Sequence, residues 1–177
     1  MLYPREDQMS DPRVTIREAS EPGDLGWMIM THGESYAREY GWDSSFEAIV
    51  ARILADYANS GDRDRARAWV AEVDGRRAGC VMCCPEDGST SDDAVAELHT
   101  LLVEPWARGH GLGAGLVDQC LEFARETGYR RIKLWTNDPL VAARHIYLSR
   151  GFRLVREEPN HSFGTGLISQ YYELALP

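Results

Sequence analysis

Val95-Ala96-Glu97-Leu98-His99-Thr100-Leu101-Leu102-Val103-Glu104-Pro105-Trp106-Ala107-Arg108-Gly109-His110-Gly111-Leu112-Gly113 carries an apolar run into a glycine-rich junction. The run predicts a strand over Ala94 to Val103, and the pattern after it predicts a helix from Leu112 or Gly113 to Thr127. Where a loop enters a helix, the first backbone N–H groups have no intrahelical acceptor and the helix dipole adds positive potential, so the junction is built to hold an anion. Glycines at 109, 111 and 113 let the chain turn sharply and let anion oxygens approach without a Cβ in the way. The Walker phosphate loop needs Lys and then Ser or Thr after its last glycine, and Ala114 and Gly115 stand there. The dinucleotide fingerprint is met formally by Gly109, Gly111 and Ala114, but it belongs in the tight first turn of a parallel βαβ unit. Here a hairpin and Glu104-Pro105-Trp106-Ala107 precede the loop.

Upstream of the junction, Val14 to Glu18 alternates as a first strand, and Asp24 is placed to cap a helix through Leu25, Met28 and Ile29 that runs out near Gly33 or Gly41. Ser44-x-x-Glu47 reads as a capping box before the apolar stripe Phe46, Ile49, Val50, Ile53, Leu54 and Tyr57, and Asn59-Ser60-Gly61 ends that helix. Arg67 to Asp74 and Arg77 to Cys84 read as strands joined by a tight Asp74-Gly75 turn. The loop Pro85 to Asp93, with Glu86, Asp87, Asp92 and Asp93, is too polar to be buried.

Downstream, Leu116, Val117, Cys120, Leu121 and Ala124 form the buried face of the helix that Gly128 stops, and Arg130 to Thr136 is a further strand. Asp138-Pro139 predicts an N-cap and first helical turn for a helix ending at Arg150-Gly151. Phe152 to Val155 and Gln170 to Leu176 close the chain as strands. The order β-α-α-β-β-β-α-β-α-β-β implies one domain over residues 13–177 behind a flexible tail, residues 1–12.

The 177 residues are 44% hydrophobic and 27% charged, enough to bury a core without disulfide or metal. Cys80-x-x-Cys83 lacks a second ligand pair and lies in an apolar run, so it reads as buried packing rather than a zinc or redox site, and no metal is expected. A net charge of -9 argues against nucleic acid and anionic membrane as partners and favours a cationic substrate. Without an apolar run of roughly 18 residues or a secretory h-region, the expected location is cytoplasmic.

The third phosphate-loop pattern, R/Q-x-x-G-x-G/A, is matched by Arg108, Gly111 and Gly113, and with it the chain resembles the GNAT superfamily of acyl-CoA-dependent N-acyltransferases over about residues 14–176. Gly33-Glu34-Ser35-Tyr36-Ala37-Arg38-Glu39-Tyr40-Gly41-Trp42 and Leu134-Trp135-Thr136-Asn137-Asp138 are similar to the acetyltransferase domain of MarR-GNAT fusion proteins. No helix-turn-helix pattern is read before them, so DNA binding is not carried over.

The resemblance implies a single α/β (α+β) domain whose mixed, mostly antiparallel sheet, helices on both faces, splays between its fourth and fifth strands. It implies acetyl-CoA as acyl donor, with Leu101, Leu102 and Val103 pairing with the pantetheine arm and Arg108, Gly109, His110, Gly111, Leu112, Gly113 and Ala114 holding the pyrophosphate. A backbone N–H near Leu102 would meet the charge developing on the thioester oxygen. Glu97 stands at the spacing of the family's glutamate base and Tyr147 at the position of its thiolate-protonating tyrosine. Many relatives carry Asn where Leu140 stands, and Asn137 is the nearby substitute.

An amine must lose a proton before it attacks a thioester. His99, two residues from Glu97 and on the same strand face unless a bulge intervenes, is the alternative base, since histidine is the side chain whose unperturbed pKa, about 6.5, suits the task. The polar and aromatic segment between the first two helices is either a solvated helix end or a substrate wall built from His32, Glu34, Tyr36, Tyr40 and Trp42. The expected acceptor is a small-molecule or peptide amine. Two alternatives stand beside the acyltransferase: a silent acyl-CoA-binding sensor or partner module, and a nucleotide-dependent oxidoreductase. A homodimer could pair through an exposed closing strand, Gln170 to Leu176.

Overall fold

The hairpin at the centre of the chain forms because Asp74 and Gly75 both take positive φ, 51° and 77°, giving the tight turn that matches strand twist. It joins β2 (Arg67–Val73) to β3 (Arg76–Pro85), and β1 (Val14–Glu18) pairs antiparallel on the outer side of β2. The computed structural model describes residues 12–87 and 94–177. Residues 1–11 of the expected tail, and Asp92 and Asp93 of the expected polar loop, lie outside the described residues. Beyond β3 come β4 (Val95–Val103), β5 (Arg131–Asn137), β6 (Arg153–Asn160) and β7 (Leu167–Ala175), in a seven-stranded sheet of order β1-β2-β3-β4-β5-β7-β6.

Among these strands β4 and β5 make the one parallel pair, and their register runs from Val95 opposite Arg131 only to Leu98 opposite Leu134. Past Leu98 the two strands part, while β3 keeps β4 paired as far as Val103. The slot that opens there is the entrance to the interior of the sheet.

Helices α1 (Asp24–Tyr40) and α2 (Ser44–Ser60) cover one face, above Cys80, Met82 and Leu102. Helix α3 (Leu112–Thr127) covers the other, with Leu116, Val117, Cys120, Leu121 and Ala124 buried as their spacing predicts. Fully burying a large apolar side chain contributes about 1.5–3 kcal/mol, so this face alone fixes α3 against the sheet. Helix α4 (Val141–Ser149) also lies on that side, with Tyr147 and Ile146 in the same core. Cys80 belongs to the core under α1 and α2, and Cys83 to the core under α3. Residues three apart in a strand point to opposite faces, so the pair cannot grip one ion.

Four sequence expectations change. Of the two ends read for α1, Gly41 and not Gly33 is the one that stops it; a Cβ at Gly33 would sit 2.7 Å from Glu47 Oε2, so its bareness leaves room for that side chain of α2. The N-cap of α2 is Asp43, accepting from the Ser45 amide at 2.9 Å, and not Ser44. Asp24 and Asp138 cap nothing. Asp24 lies inside the first turn of α1, bound by arginines, and Asp138 Oδ1 accepts the Ile168 amide at 2.7 Å, tying the start of β7 to the end of β5. Finally, β7 is interior, between β5 and β6, so the edges available for strand pairing are β1 and β6 and not Gln170 to Leu176. Glu86 takes an ion pair from Lys133 at 2.8 Å. Among the described residues no helix is long and apolar enough to cross a membrane.

Candidate active site

Two cavities meet at the point where β4 and β5 part. The larger, about 400 Å³, is walled by Leu101, Leu102 and Val103 of β4, by Arg108, Gly109, Gly111, Leu112, Gly113 and Ala114 at the start of α3, and by Ala142, Ala143 and Ile146 of α4. Gly109 and Gly111 take φ of 88° and 71°, conformations that cost an ordinary residue about 1–2 kcal/mol. The amides of Gly109 through Ala114 have no partner among the described residues, and Gly111 offers no side-chain cap. They form the anion-binding end of this cavity. Arg108 is held there by a two-point ion pair to Glu39, at 2.9 and 2.7 Å, which ties the loop to the last turn of α1.

The smaller cavity, about 70 Å³, is lined by His32, Tyr36, Trp42, Phe46, His99, Thr100, Trp135, Asn137 and Tyr147 among others, and shares Tyr36, Leu101, Leu140 and Ala143 with the larger. The junction is shaped by a bulge: Cys80 faces Leu102 and Met82 faces His99, so Thr100 and Leu101 together oppose Val81. Thr100 takes a φ of 55°. Cys80 Sγ donates to the Thr100 carbonyl at 3.3 Å, and the Tyr36 hydroxyl to the Leu101 carbonyl at 3.3 Å. Because the bulge follows His99, Glu97 and His99 stay in phase, and His99 Nε2 lies 2.9 Å from Glu97 Oε2. That hydrogen bond holds the Glu97 carboxyl below the usual carboxylate range against the opposing effect of burial. His99 lines the smaller cavity and Glu97 stands behind it.

The remaining expected site residues divide. Tyr147 is buried at the smaller cavity, and burial pushes its phenol up, well above the ordinary value near 10. Tyr36 borders both cavities, Tyr40 only the larger, and His32 and Trp42 only the smaller. Glu34 faces solvent on the other side of α1 and lines neither. His110 lines neither; its Nδ1 lies 3.0 Å from the Ala107 carbonyl and donates to it. Asn137 lies on the small-cavity side, its Oδ1 accepting from Ser169 Oγ at 3.3 Å and from Asn160 Nδ2 at 3.4 Å. Reading the sequence missed Phe46 and Trp135 as wall residues. Alternation from the buried Leu134 would have turned Trp135 toward the α1 and α2 face, where it packs. Among the described residues no group of three or more His, Cys, Asp or Glu side chains is placed to hold a metal ion.

His32 illustrates what this enclosure does to charge. Its Nδ1 is 2.7 Å from the Met28 carbonyl, an acceptor only, so Nδ1 carries the proton and Nε2 a lone pair. Burial lowers its pKa from 6.5 to about 4. Between those values the unfolded chain takes up a proton that the folded chain does not, so stability is full above pH 6.5 and falls as the pH drops toward 4. At about 1.4 kcal/mol per pH unit this window costs about 3 kcal/mol. His32→Gln is expected to flatten the dependence between pH 7.5 and 4.5 in urea-unfolding midpoints. An unaltered slope would show that His32 is not its source.

A slot in a splayed mixed sheet, closed at one end by an anion-binding helix start, is the architecture of an acyl-CoA-dependent transferase. Residues 27–152 match the acetyltransferase (GNAT) family model. The chain belongs to the acetyltransferase (GNAT) family. It is 34% identical over 91 residues to an uncharacterized N-acetyltransferase of Methanocaldococcus jannaschii, spanning 51% of this chain and 40% of that protein. A Schizosaccharomyces pombe N-acetyltransferase is 28% identical across 82% of this chain and 86% of its own. The matched segment spans 40% of that archaeal protein and 63% of an uncharacterized N-acetyltransferase of Archaeoglobus fulgidus, 37% identical over 92 residues and 51% of this chain. Among solved structures, a Salmonella typhimurium acetyltransferase with acetyl-CoA superposes with a TM-score of 0.70 at 20% identity, over 93% of this chain and 94% of that one. The ribosomal-protein-alanine N-acetyltransferase of Brucella melitensis gives 0.73 at 22%, over 92% and 99%. At these identities the two structures speak for the fold.

Proposed function

We propose that the chain transfers an acetyl group from acetyl-CoA to a primary amine by direct attack, with the thioester at the junction of the two cavities. The observation that carries this is the meeting of an anion-binding slot with a small pocket lined by a buried tyrosine and by His99, which Glu97 holds from behind. The amides of Gly109 to Ala114 take the pyrophosphate, and the parted edge of β4 at Leu101 to Val103 takes the pantetheine arm. The amine enters beside His99, which accepts its proton while the ionised Glu97 orients the ring and offsets the imidazolium charge. Tyr147 donates to the departing thiolate.

The test is release of free thiol from acetyl-CoA in the presence of amines, followed across pH. His99→Ala is expected to lower kcat/KM about a hundredfold, whereas Glu97→Gln lowers it about tenfold. The reverse result would send the proton to Glu97 directly. Tight acetyl-CoA binding without thiol release beside any amine would favour a silent binding module.

A further inference from the structure

Hydrogen-bonding groups left over in the small pocket describe the molecule that enters it. Among the described residues four buried side-chain atoms have no hydrogen-bond partner: Ser35 Oγ, Trp42 Nε1, Thr100 Oγ1 and Trp135 Nε1. Three of the four belong to residues lining the pocket of about 70 Å³. They arrive from separate elements: Trp42 from the α1–α2 connection, Thr100 from the β4 bulge and Trp135 from β5. An indole N–H can only donate, and leaving one buried and unpaired costs about 1–3 kcal/mol. The fold bears that cost at two residues lining one pocket, a pattern that makes sense if a ligand oxygen completes it. His32 adds the opposite character, a lone pair at Nε2, because its proton is committed to Met28.

The same pocket says what the ligand is not. No Lys, Arg, Asp or Glu side chain lines it, so neither a free carboxylate nor a second ammonium would meet a countercharge. Glu97 is already engaged by His99. The volume is about 70 Å³, so only the amine and the few atoms next to it sit inside. A compact amine with an uncharged oxygen a few atoms away remains.

We infer that the acceptor is an α-amino amide unit, in a small molecule or at a peptide N-terminus, whose neutral carbonyl takes the indole N–H groups of Trp42 and Trp135. The amine then lies toward His99 and the thioester, and the rest of the acceptor extends outward. This rests on the acyltransferase reading of the site.

The experiment compares alaninamide, an alanine-led tripeptide amide, free alanine, 1,3-diaminopropane and phenethylamine as acceptors, by thiol release from acetyl-CoA. The two amides are expected to exceed the others in kcat/KM by at least about tenfold, and the better of the two tells a small molecule from a peptide end. Trp42→Phe and Trp135→Phe, which keep an aromatic ring, should each raise the KM for alaninamide about fivefold, one net hydrogen bond, and leave the KM for acetyl-CoA unchanged. Preference for alanine, the diamine or phenethylamine, or Trp→Phe variants with an unaltered acceptor KM, would overturn the inference. Quenching of tryptophan fluorescence by alaninamide gives a readout without turnover. Binding with no thiol release would sink the transferase reading and keep the pocket assignment; thiol release with other amines and no alaninamide binding would do the opposite.

Discussion

Tyr147→Phe is expected to lower the rate of acetyl transfer by about ten- to a thousandfold while the protein stays folded and still binds acetyl-CoA. The ring of Tyr147 packs edge-on against Phe152, with centroids 5.7 Å apart, and tilted against Tyr172 at 6.3 Å. Phenylalanine keeps those contacts. What it removes is the hydroxyl. Burial raises the phenol, so the side chain remains a neutral O–H donor throughout the working pH range. A donor of that kind is a poor acid in the free enzyme, but beside a departing thiolate its hydrogen bond becomes charge-assisted and strengthens as the C–S bond breaks. The interaction therefore belongs to the transition state, and kcat and kcat/KM should fall by the same factor. Stopped-flow thiol release under single-turnover conditions checks this, and an unchanged rate would remove Tyr147 from the mechanism.

The parts of the fold and site legible in the sequence are those fixed by local rules. Asp74-Gly75 specifies its turn, the spacing of Leu116, Val117, Cys120 and Leu121 specifies the buried face of α3, and the glycines at 109 and 111 permit the left-handed backbone the loop takes there. Caps were less legible because a carboxylate has better offers than one amide. Asp24 takes Arg17 and Arg77, and Asp138 takes the amide of Ile168, thirty residues away in the chain. Strand order was invisible for the same reason: nothing local in Gln170 to Leu176 says that β6 will pair outside it. Within the site, helical period separates residues that composition lumps together. His32, Ser35 and Tyr36 share the buried face of α1, whereas Glu34 falls on the solvent side and Tyr40, a turn further on, reaches the larger cavity instead. The Glu97–His99 contact depended on where the bulge falls, and β3 places it one residue beyond His99.

Asp24→Ala is expected to cost about 3 kcal/mol of stability, the low end of the range for breaking a buried charge pair. The Asp24 side chain is 1% exposed and accepts four hydrogen bonds: from Arg17 at 2.7 and 3.1 Å, from Arg77 Nε at 2.8 Å and from the Glu21 amide at 2.9 Å. Burial alone would raise its pKa, but the Arg17, Glu21 and Arg77 hydrogen bonds outweigh burial and hold it below the usual carboxylate range. Its contribution is present above the ordinary value of 3.8 and is lost as the pH falls through the lower folded value. That window lies below the one set by His32, so the variant should lose stability at pH 7 without changing the slope between pH 6.5 and about 4. Arg17 and Arg77 are partly exposed, at 24% and 31%, and can recover water once the carboxylate is gone, which is why the loss stays at the low end. Asp24→Asn, which keeps an acceptor oxygen, should lose less. The consequence reaches the site because this cluster fastens the start of α1 to β1 and β3, and α1 carries His32 and Tyr36 to the small cavity. Below the melting temperature of the variant, the acceptor KM should therefore rise more than the KM for acetyl-CoA, whose slot is built mainly from β4, α3 and α4. Urea unfolding at pH 7 measures the first effect and steady-state kinetics the second. A loss under about 1 kcal/mol would mean that the arginines find other partners and that α1 is held by its apolar face alone.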